Sequence, residues 1–186
     1  MTKKRITSYP LFVNDPYFSV WSPSDELNGP DTIFWTGLKR RSYGIVNVDG
    51  QSYSFMGIVE NAIPLKQTEV TMRAFSTDYV FECDKFILQT SFVSPVVPTD
   101  LELMSRPVCY FLYKVVAKEP LKDVKVALAL HQEHCYNRSD DYVIGGGFSY
   151  PEYEIAFMGL NRQHPMSHCF DSTAADWGYT YLAAEE

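Results

Sequence analysis

The chain has 186 residues and a formal net charge of −7, from 16 Lys and Arg against 23 Asp and Glu. Its 46% hydrophobic and 21% charged residues are typical of a folded globular domain and argue against a disordered, collagen-like or coiled-coil chain. The acidic balance is unsuited to gripping a phosphate backbone, so we expect neither nucleic acid nor a membrane surface as a partner. Aromatic residues are unusually frequent, at 15%.

No segment of the sequence predicts export or a membrane span. The start, Met1 to Arg5, is basic, but the apolar run that follows, Leu11–Val13, is shorter than the roughly 7 to 15 residues of an export signal. Runs such as Val126 to Leu130 fall far short of the about 20 apolar residues of a membrane helix. We therefore expect a cytoplasmic protein, or a cloned piece of a longer one.

Turn residues and alternating strands dominate the first half of the chain. Asp49-Gly50 separates two alternating segments, 43–48 and 51–56, and predicts a tight hairpin because both turn positions need a positive φ. A second hairpin is predicted from Asp78 to Val93, where apolar residues alternate on both arms.

The second half is also predicted to be built of strands. Pro107–Lys118 is apolar on both faces, which predicts a central or doubly covered strand. Lys122–His131 alternates and predicts a strand with one apolar face. Asn137–Gly147 is polar and glycine-rich and predicts a flexible loop, and strands resume at Glu152–Leu160 and Trp177–Ala183.

Many short strands without βαβ alternation predict an all-β fold, an antiparallel β-sandwich. The patterned strand at the end of the sequence also favours a sandwich that is incomplete at its C-terminal end. Because an unpaired edge strand tends to pair with another chain, a homo-oligomer is expected.

No metal, cofactor or catalytic residue is predicted. The four cysteines lie 26, 26 and 34 residues apart, unlike the close pairs of zinc or redox motifs, so buried thiols are expected. His131 and His134 would point to opposite faces if the preceding strand continued through them. Exposed surface charge explains Asp140-Asp141 and the Glu152/Glu154 pair, and no Gly-x-Ser-x-Gly nucleophile motif is present.

Acidic residues beside aromatic residues form the candidate contact sites. Their residues are Asp15, Tyr17, Trp21, Trp35, Asp176 and Trp177. An aromatic face beside a carboxylate suits a sugar ring, another amphipathic ligand or the rim of an interdomain contact. Packing in the core and at corners is the alternative interpretation of the same residues.

Several of these stretches carry a family resemblance. Leu11–Ser22 resembles the opening motif of the glutaminase A-like family, in which it precedes a W-T-G element, here Trp35–Gly37. Tyr53–Gly57 resembles the family's Y-x-F-M-G stretch. Further segments follow in the same order as in the family, namely Tyr79–Glu82, Phe92–Pro95, Leu101–Val108 and Asp176–Tyr179.

The resemblance implies a β-sandwich region that precedes a helical (α/α) barrel, in which the catalytic groups are expected. The members that name the family hydrolyse glutamine to glutamate and ammonia. Residues 1–186 would then be the N-terminal region, with 1–75 as one family segment and 76–186 as the start of a second.

The predicted function is a non-catalytic accessory domain of a glutaminase-like hydrolase. It would pack against the C-terminal helical domain of the same protein and shape its cleft. The chain alone would not be an enzyme, whereas its parent would be a hydrolase, either an amidohydrolase or a glycosidase. The alternatives are a carbohydrate-binding module, the sandwich part of a glycoside hydrolase, or a purely structural module.

Overall fold

The computed structural model describes residues 6–137, 141–163, 165 and 175–185. Strands make up 54% of the structure and helices 5%, which confirms the all-β prediction. The chain divides into two compact units, Met1–Ala129 (unit 1) and Leu130–Glu186 (unit 2). Within the described part of the chain, no helix has the length and apolar content of a membrane span.

Sheet one is a three-stranded antiparallel sheet at the start of unit 1. Its strands, in the order β1-β2-β3, are β1 (Tyr9–Asp15), β2 (Phe18–Ser22) and β3 (Ile33–Phe34). Two residues, Pro16 and Tyr17, connect β1 to β2, so this part of the family-like motif is a tight turn between paired strands.

Sheet two contains the hairpin predicted from Asp49-Gly50. Its strands, in the order β11-β4-β5-β6, are β4 (Ser42–Val48), β5 (Gln51–Met56), β6 (Ile63–Pro64) and β11 (Val124–Leu130). Asp49 and Gly50 have φ values of 52° and 86°, and Val48 pairs with Gln51 across them. The hairpin prediction is therefore confirmed, together with its turn chemistry.

Sheet three contains the second predicted hairpin. Its strands, in the order β10-β9-β8-β7, are β7 (Lys66–Met72), β8 (Ser76–Glu82), β9 (Phe86–Val93) and β10 (Tyr110–Ala117). Residues 83–85 connect β8 to β9, as the alternation predicted. A short helix, α1 (Leu101–Ser105), lies between β9 and β10, where the Asp100 carboxylate accepts a hydrogen bond from the Leu103 amide at 2.9 Å.

The core of unit 1 lies between sheet three and the other two sheets. The Phe55 ring of sheet two packs against Phe81 and Phe111 of sheet three, with centroids 5.9 and 5.8 Å apart. From sheet one, the Pro10 carbonyl accepts a hydrogen bond from the Thr77 hydroxyl of sheet three at 2.7 Å. This is the layered packing of a β-sandwich, as the sequence predicted.

Sheet four forms most of the described part of unit 2. Its strands, in the order β12-β13-β14, are β12 (Val143–Tyr150), β13 (Tyr153–Leu160) and β14 (Tyr179–Glu185). Both pairs are antiparallel. A single turn of 3-10 helix, Gln132–His134, precedes this sheet.

Three expectations from the sequence are wrong. Strand β10 lies at the edge of sheet three and leaves apolar side chains such as Leu112 exposed, so it is not a doubly covered central strand. The glycines 145–147 belong to β12 rather than to a loop, because they allow close approach to the backbone and ring of Phe157. The predicted strand does not continue through His131 and His134, because it ends at Leu130 and a 3-10 turn follows.

Candidate functional site

The first acid–aromatic cluster is built on the turn between β1 and β2. One oxygen of Asp15 accepts hydrogen bonds from the backbone amides of Tyr17 and Phe18, at 2.7 and 3.0 Å. The other oxygen accepts from the Asn14 side chain at 2.9 Å. The exposed Asp15 carboxylate therefore closes the turn, which is a common role for Asp before a tight turn.

Trp35 lies against the same turn. Its indole nitrogen donates a hydrogen bond to the Pro16 carbonyl at 2.9 Å, while 48% of the residue stays exposed. The structure thus brings Asp15, Tyr17 and Trp35 to one corner of sheet one. Because the acid already accepts three hydrogen bonds, this corner offers a ligand an indole surface more readily than a carboxylate.

Trp21 differs from Trp35 in being half-buried within a strand. It lies in β2, paired with Pro10 on one side and Ile33 on the other. Its indole nitrogen donates to the Ser19 hydroxyl at 2.8 Å. This arrangement secures the side chain along its own strand, in agreement with the packing interpretation.

The second cluster lies in unit 2, just before β14. Asp176 is buried, with 4% of its surface exposed, and Trp177 is half-buried. The predicted strand from Trp177 begins at Tyr179, so both residues precede β14. A carboxylate with this degree of burial is not presented on an open ligand surface.

The segment around the two histidines forms a compact polar turn. His131 Nδ1 accepts from the Glu133 amide at 3.3 Å and lies 3.4 Å from the Glu133 carboxylate. The next His, His134, is buried, and the Cys135 thiol donates to the Thr180 hydroxyl at 3.9 Å. Among the described residues, no group of three or more His, Cys, Asp or Glu side chains could hold a metal. Asp140 and Cys169 lie outside the described residues.

Several titratable groups of unit 1 have perturbed pKa values with structural causes. Burial raises the pKa of the Cys109 thiol, which lowers its thiolate fraction and its reactivity. Burial also raises the pKa of the Tyr79 hydroxyl, whose ring lies in the core. Hydrogen bonds from the backbone amides of Asp123 and Lys122 hold the pKa of the Asp49 carboxyl below its usual range. The same two hydrogen bonds attach the segment before β11 to the hairpin turn.

Sequence reasoning missed one surface, which we call the aromatic face of sheet four. Its residues are Phe148, Tyr150, Tyr153, Phe157, Tyr179 and Tyr181. Phe157 is central, with ring centroids 6.2, 5.8 and 6.1 Å from Phe148, Tyr179 and Tyr181. All of these residues except Phe157 are large exposed side chains. The aromatic alternation at Tyr179 and Tyr181 was the signal available in the sequence.

Comparisons with known proteins cover almost the whole chain. Residues 76–186 match the family described as "Domain of unknown function (DUF5127)", and residues 2–68 match "Domain of unknown function (DUF4964)". Glutaminase A of Aspergillus oryzae is 22% identical over 191 aligned residues, which confirms the resemblance drawn from the motifs. The alignment covers 98% of this chain but 28% of that relative. No solved structure gives a significant match.

Proposed function

Since the chain belongs to the DUF5127 family, we propose that it is the non-catalytic N-terminal region of a glutaminase-like hydrolase. The observation that carries the proposal is the unequal coverage of the alignment. Nearly all of this chain aligns with Glutaminase A, yet it accounts for little more than a quarter of that protein. The proposed role is to pack against a helical domain of the same protein, to stabilise it and to shape its cleft.

The chemistry of amide hydrolysis supports placing catalysis elsewhere. Deamidation of glutamine needs an activated water or nucleophile, donors for the developing oxyanion and groups that bind the charged ends of the amino acid. Asp15 is engaged in a turn, and the raised pKa of Cys109 disfavours a nucleophilic thiolate. The proposal assigns the catalytic groups to polypeptide outside these 186 residues.

A comparison of ammonia release tests the proposal. The product of the complete reading frame and the 186-residue chain are each incubated with glutamine, and asparagine serves as the matched substrate control. We expect the complete product to release ammonia from glutamine and the 186-residue chain to match the blank. Turnover by the 186-residue chain, or no turnover by the complete product, would contradict the proposal.

A carbohydrate-binding module is the second candidate, favoured by the exposed indole of Trp35 beside the Asp15 turn. Aromatic side chains of this kind stack on sugar rings through their apolar faces. Calorimetric titration with a panel of glycans tests it directly. Saturable heat that disappears in Trp35→Ala and persists in Trp21→Phe would favour this candidate over the accessory role.

A further inference from the structure

We propose that the aromatic face of sheet four is the docking surface for the polypeptide that follows residue 186 in the complete gene product. The inference rests on the proposed function and deepens it, because it names the surface through which the chain meets the rest of the protein. Three observations support it: the residues of this face, its exposed area and the position of β14 within it.

The pairing register gathers the aromatic face from the hairpin of β12 and β13 and from β14, which comes later in the chain. Phe157 pairs with Gly146 on one side and with Tyr181 on the other, so these positions share one face. A Cβ at Gly146 would lie 3.2 Å from the Phe157 ring, so the glycine leaves room for that ring. The strands thus hold the rings in a fixed arrangement.

Among the described residues of the aromatic face, charge lies at its margin. Glu154 pairs with Ser149 and Ala184, which places it on the opposite face, where it accepts a hydrogen bond from the Ser149 hydroxyl at 2.6 Å. Glu185 stands at the rim, opposite Tyr153. An aromatic centre with charge at its margin is typical of the core of a protein–protein interface.

The exposed area is comparable to the largest apolar patch of a typical soluble monomer, which is often a functional surface. Tyr150, Tyr153 and Tyr179 are 65%, 38% and 44% exposed, and Phe148 and Tyr181 are about half exposed. Five such side chains present on the order of 500 Å² of mainly apolar surface. Contiguous patches above a few hundred Å² mark interaction sites.

Polypeptide continuing from β14 would start beside this surface. Among the described strands, β14 lies at one edge of sheet four, and Glu185 pairs with Tyr153 at the margin of the aromatic face. Polypeptide continuing from there would be tethered beside the face, at an effective concentration of about millimolar. The relative has nearly three-quarters of its length outside the alignment, which is ample chain for such a contact.

Ring geometry favours a polypeptide over a sugar as the partner of this face, and a comparison with strand β10 favours this face as the docking surface. The planes of Phe157 and Tyr179 meet at 83°, and those of Tyr179 and Tyr181 at 58°, so neighbouring rings do not form the flat platform on which successive sugar rings stack. On β10 of unit 1, exposed Leu112 lies beside Lys114 and opposite Ser91, so polar groups interrupt that surface.

Hydroxyl-radical footprinting read by mass spectrometry tests the inference. Tyr181 and Tyr113 are a matched pair, because each is a strand tyrosine with 55% exposure. In the complete product, we expect Tyr181 oxidation to fall about fivefold relative to the 186-residue chain, since a side chain in an interface core keeps little exposure. Tyr113 should change much less. In the complete product, Tyr181→Ser should restore oxidation at Phe148, and the matched Tyr113→Ser should not.

Four results would overturn the inference. The first is equal Tyr181 oxidation in the two proteins, and the second is a fall in Tyr113 oxidation as large as that at Tyr181. The third is protection of Tyr181 in the 186-residue chain that rises with protein concentration. The fourth is a reading frame that ends at residue 186. Ammonia release from the same preparation separates this test from that of the proposed function. Active enzyme with a reactive Tyr181 refutes the docking surface alone, whereas a protected Tyr181 without turnover refutes the glutaminase role alone.

Discussion

Units 1 and 2 bury their apolar sheet faces to different extents. In unit 1, three sheets enclose a core in which Phe55, Phe81 and Phe86 are fully buried. In unit 2, sheet four has an aromatic face whose rings, apart from Phe157, are between 38% and 65% exposed. A sheet gains most of its stability from the layer that covers its apolar face. Unit 1 therefore has a closed core, whereas unit 2 has an exposed aromatic surface suited to a partner.

The largest expected loss of stability comes from a substitution in the core of unit 1. Phe55→Ala removes a ring that contacts Phe81 and Phe111, and we expect it to lower the free energy of unfolding by about 3–5 kcal/mol. Phe148→Ala in unit 2 removes a half-exposed ring and should cost under about 1 kcal/mol. Urea unfolding followed by circular dichroism measures both. Equal losses would contradict the proposed difference between the units.

Glycines beside aromatic rings sharpen the same contrast. A Cβ at Gly44 would lie 2.2 Å from the fully buried Phe55 ring, so Gly44→Ala should destabilise the chain by about 1–3 kcal/mol through overpacking. At Gly146 the nearest atom of Phe157 is 3.2 Å away on a partly open face, so a smaller loss is expected. Thermal unfolding compares the two variants, and a larger loss at Gly146 would count against this account.

A smaller effect is expected at the Asp15 turn. Asp15→Ala removes the acceptor for the amides of Tyr17 and Phe18 and should cost about 1 kcal/mol. Asp15→Asn keeps a side-chain oxygen and should recover most of this stability. Chemical denaturation of the three proteins provides the measurement. If both variants were as stable as the parent, the carboxylate would have no structural role in the turn.

The smallest effect concerns pH. Burial raises the pKa of Asp78, but hydrogen bonds from Ser91, Arg73 and Ser76 outweigh it, so the folded-state pKa lies below the ordinary value. A carboxyl with a lowered pKa stabilises the fold above its unfolded pKa and loses this contribution as pH falls through its folded pKa.

Asp78→Asn should therefore reduce the free energy of unfolding at neutral pH. The loss should be at most about 1 kcal/mol, because the Arg73 partner is exposed. The difference between variant and parent should begin to close near about pH 4, the ordinary value of the carboxyl, and vanish at lower pH. Denaturation midpoints measured from neutral to acidic pH test this. A difference that persisted at the lowest pH would exclude the carboxylate as its source.

The local parts of the fold could be predicted because short-range chemistry determines them. Asp49-Gly50 specifies a turn through its positive φ values, and that hairpin is present. The apolar faces of β8 and β9 also follow from alternation alone. Both features depend on residues only a few positions apart.

The placement of strands depends on their pairing partners, which sequence patterns do not identify. The two-sided apolar pattern of β10 predicts cover on both faces, yet the strand lies at a sheet edge. Three glycines are typical of a loop, but in β12 they accommodate strand β13 and the Phe157 ring. Pairing between elements, rather than local propensity, decides both outcomes.

The candidate contact residues show the same division. The sequence singles out Asp15 and Trp35 as an acid–aromatic pair, and the structure places both at one turn. It does not reveal that the acid is engaged by backbone amides, because that depends on turn geometry. The aromatic face escapes sequence reasoning because its rings come from β12, β13 and β14 and meet only through their register.

Amide hydrogen exchange on the 186-residue chain and on the complete gene product tests most directly whether unit 2 is finished by further polypeptide. The account predicts strong protection of β8 and β9 amides in both proteins, because their side chains face a closed core. It predicts that β13 amides become markedly more protected in the complete product. Equal protection of β13 in the two proteins would contradict the claim that its aromatic face is a docking surface.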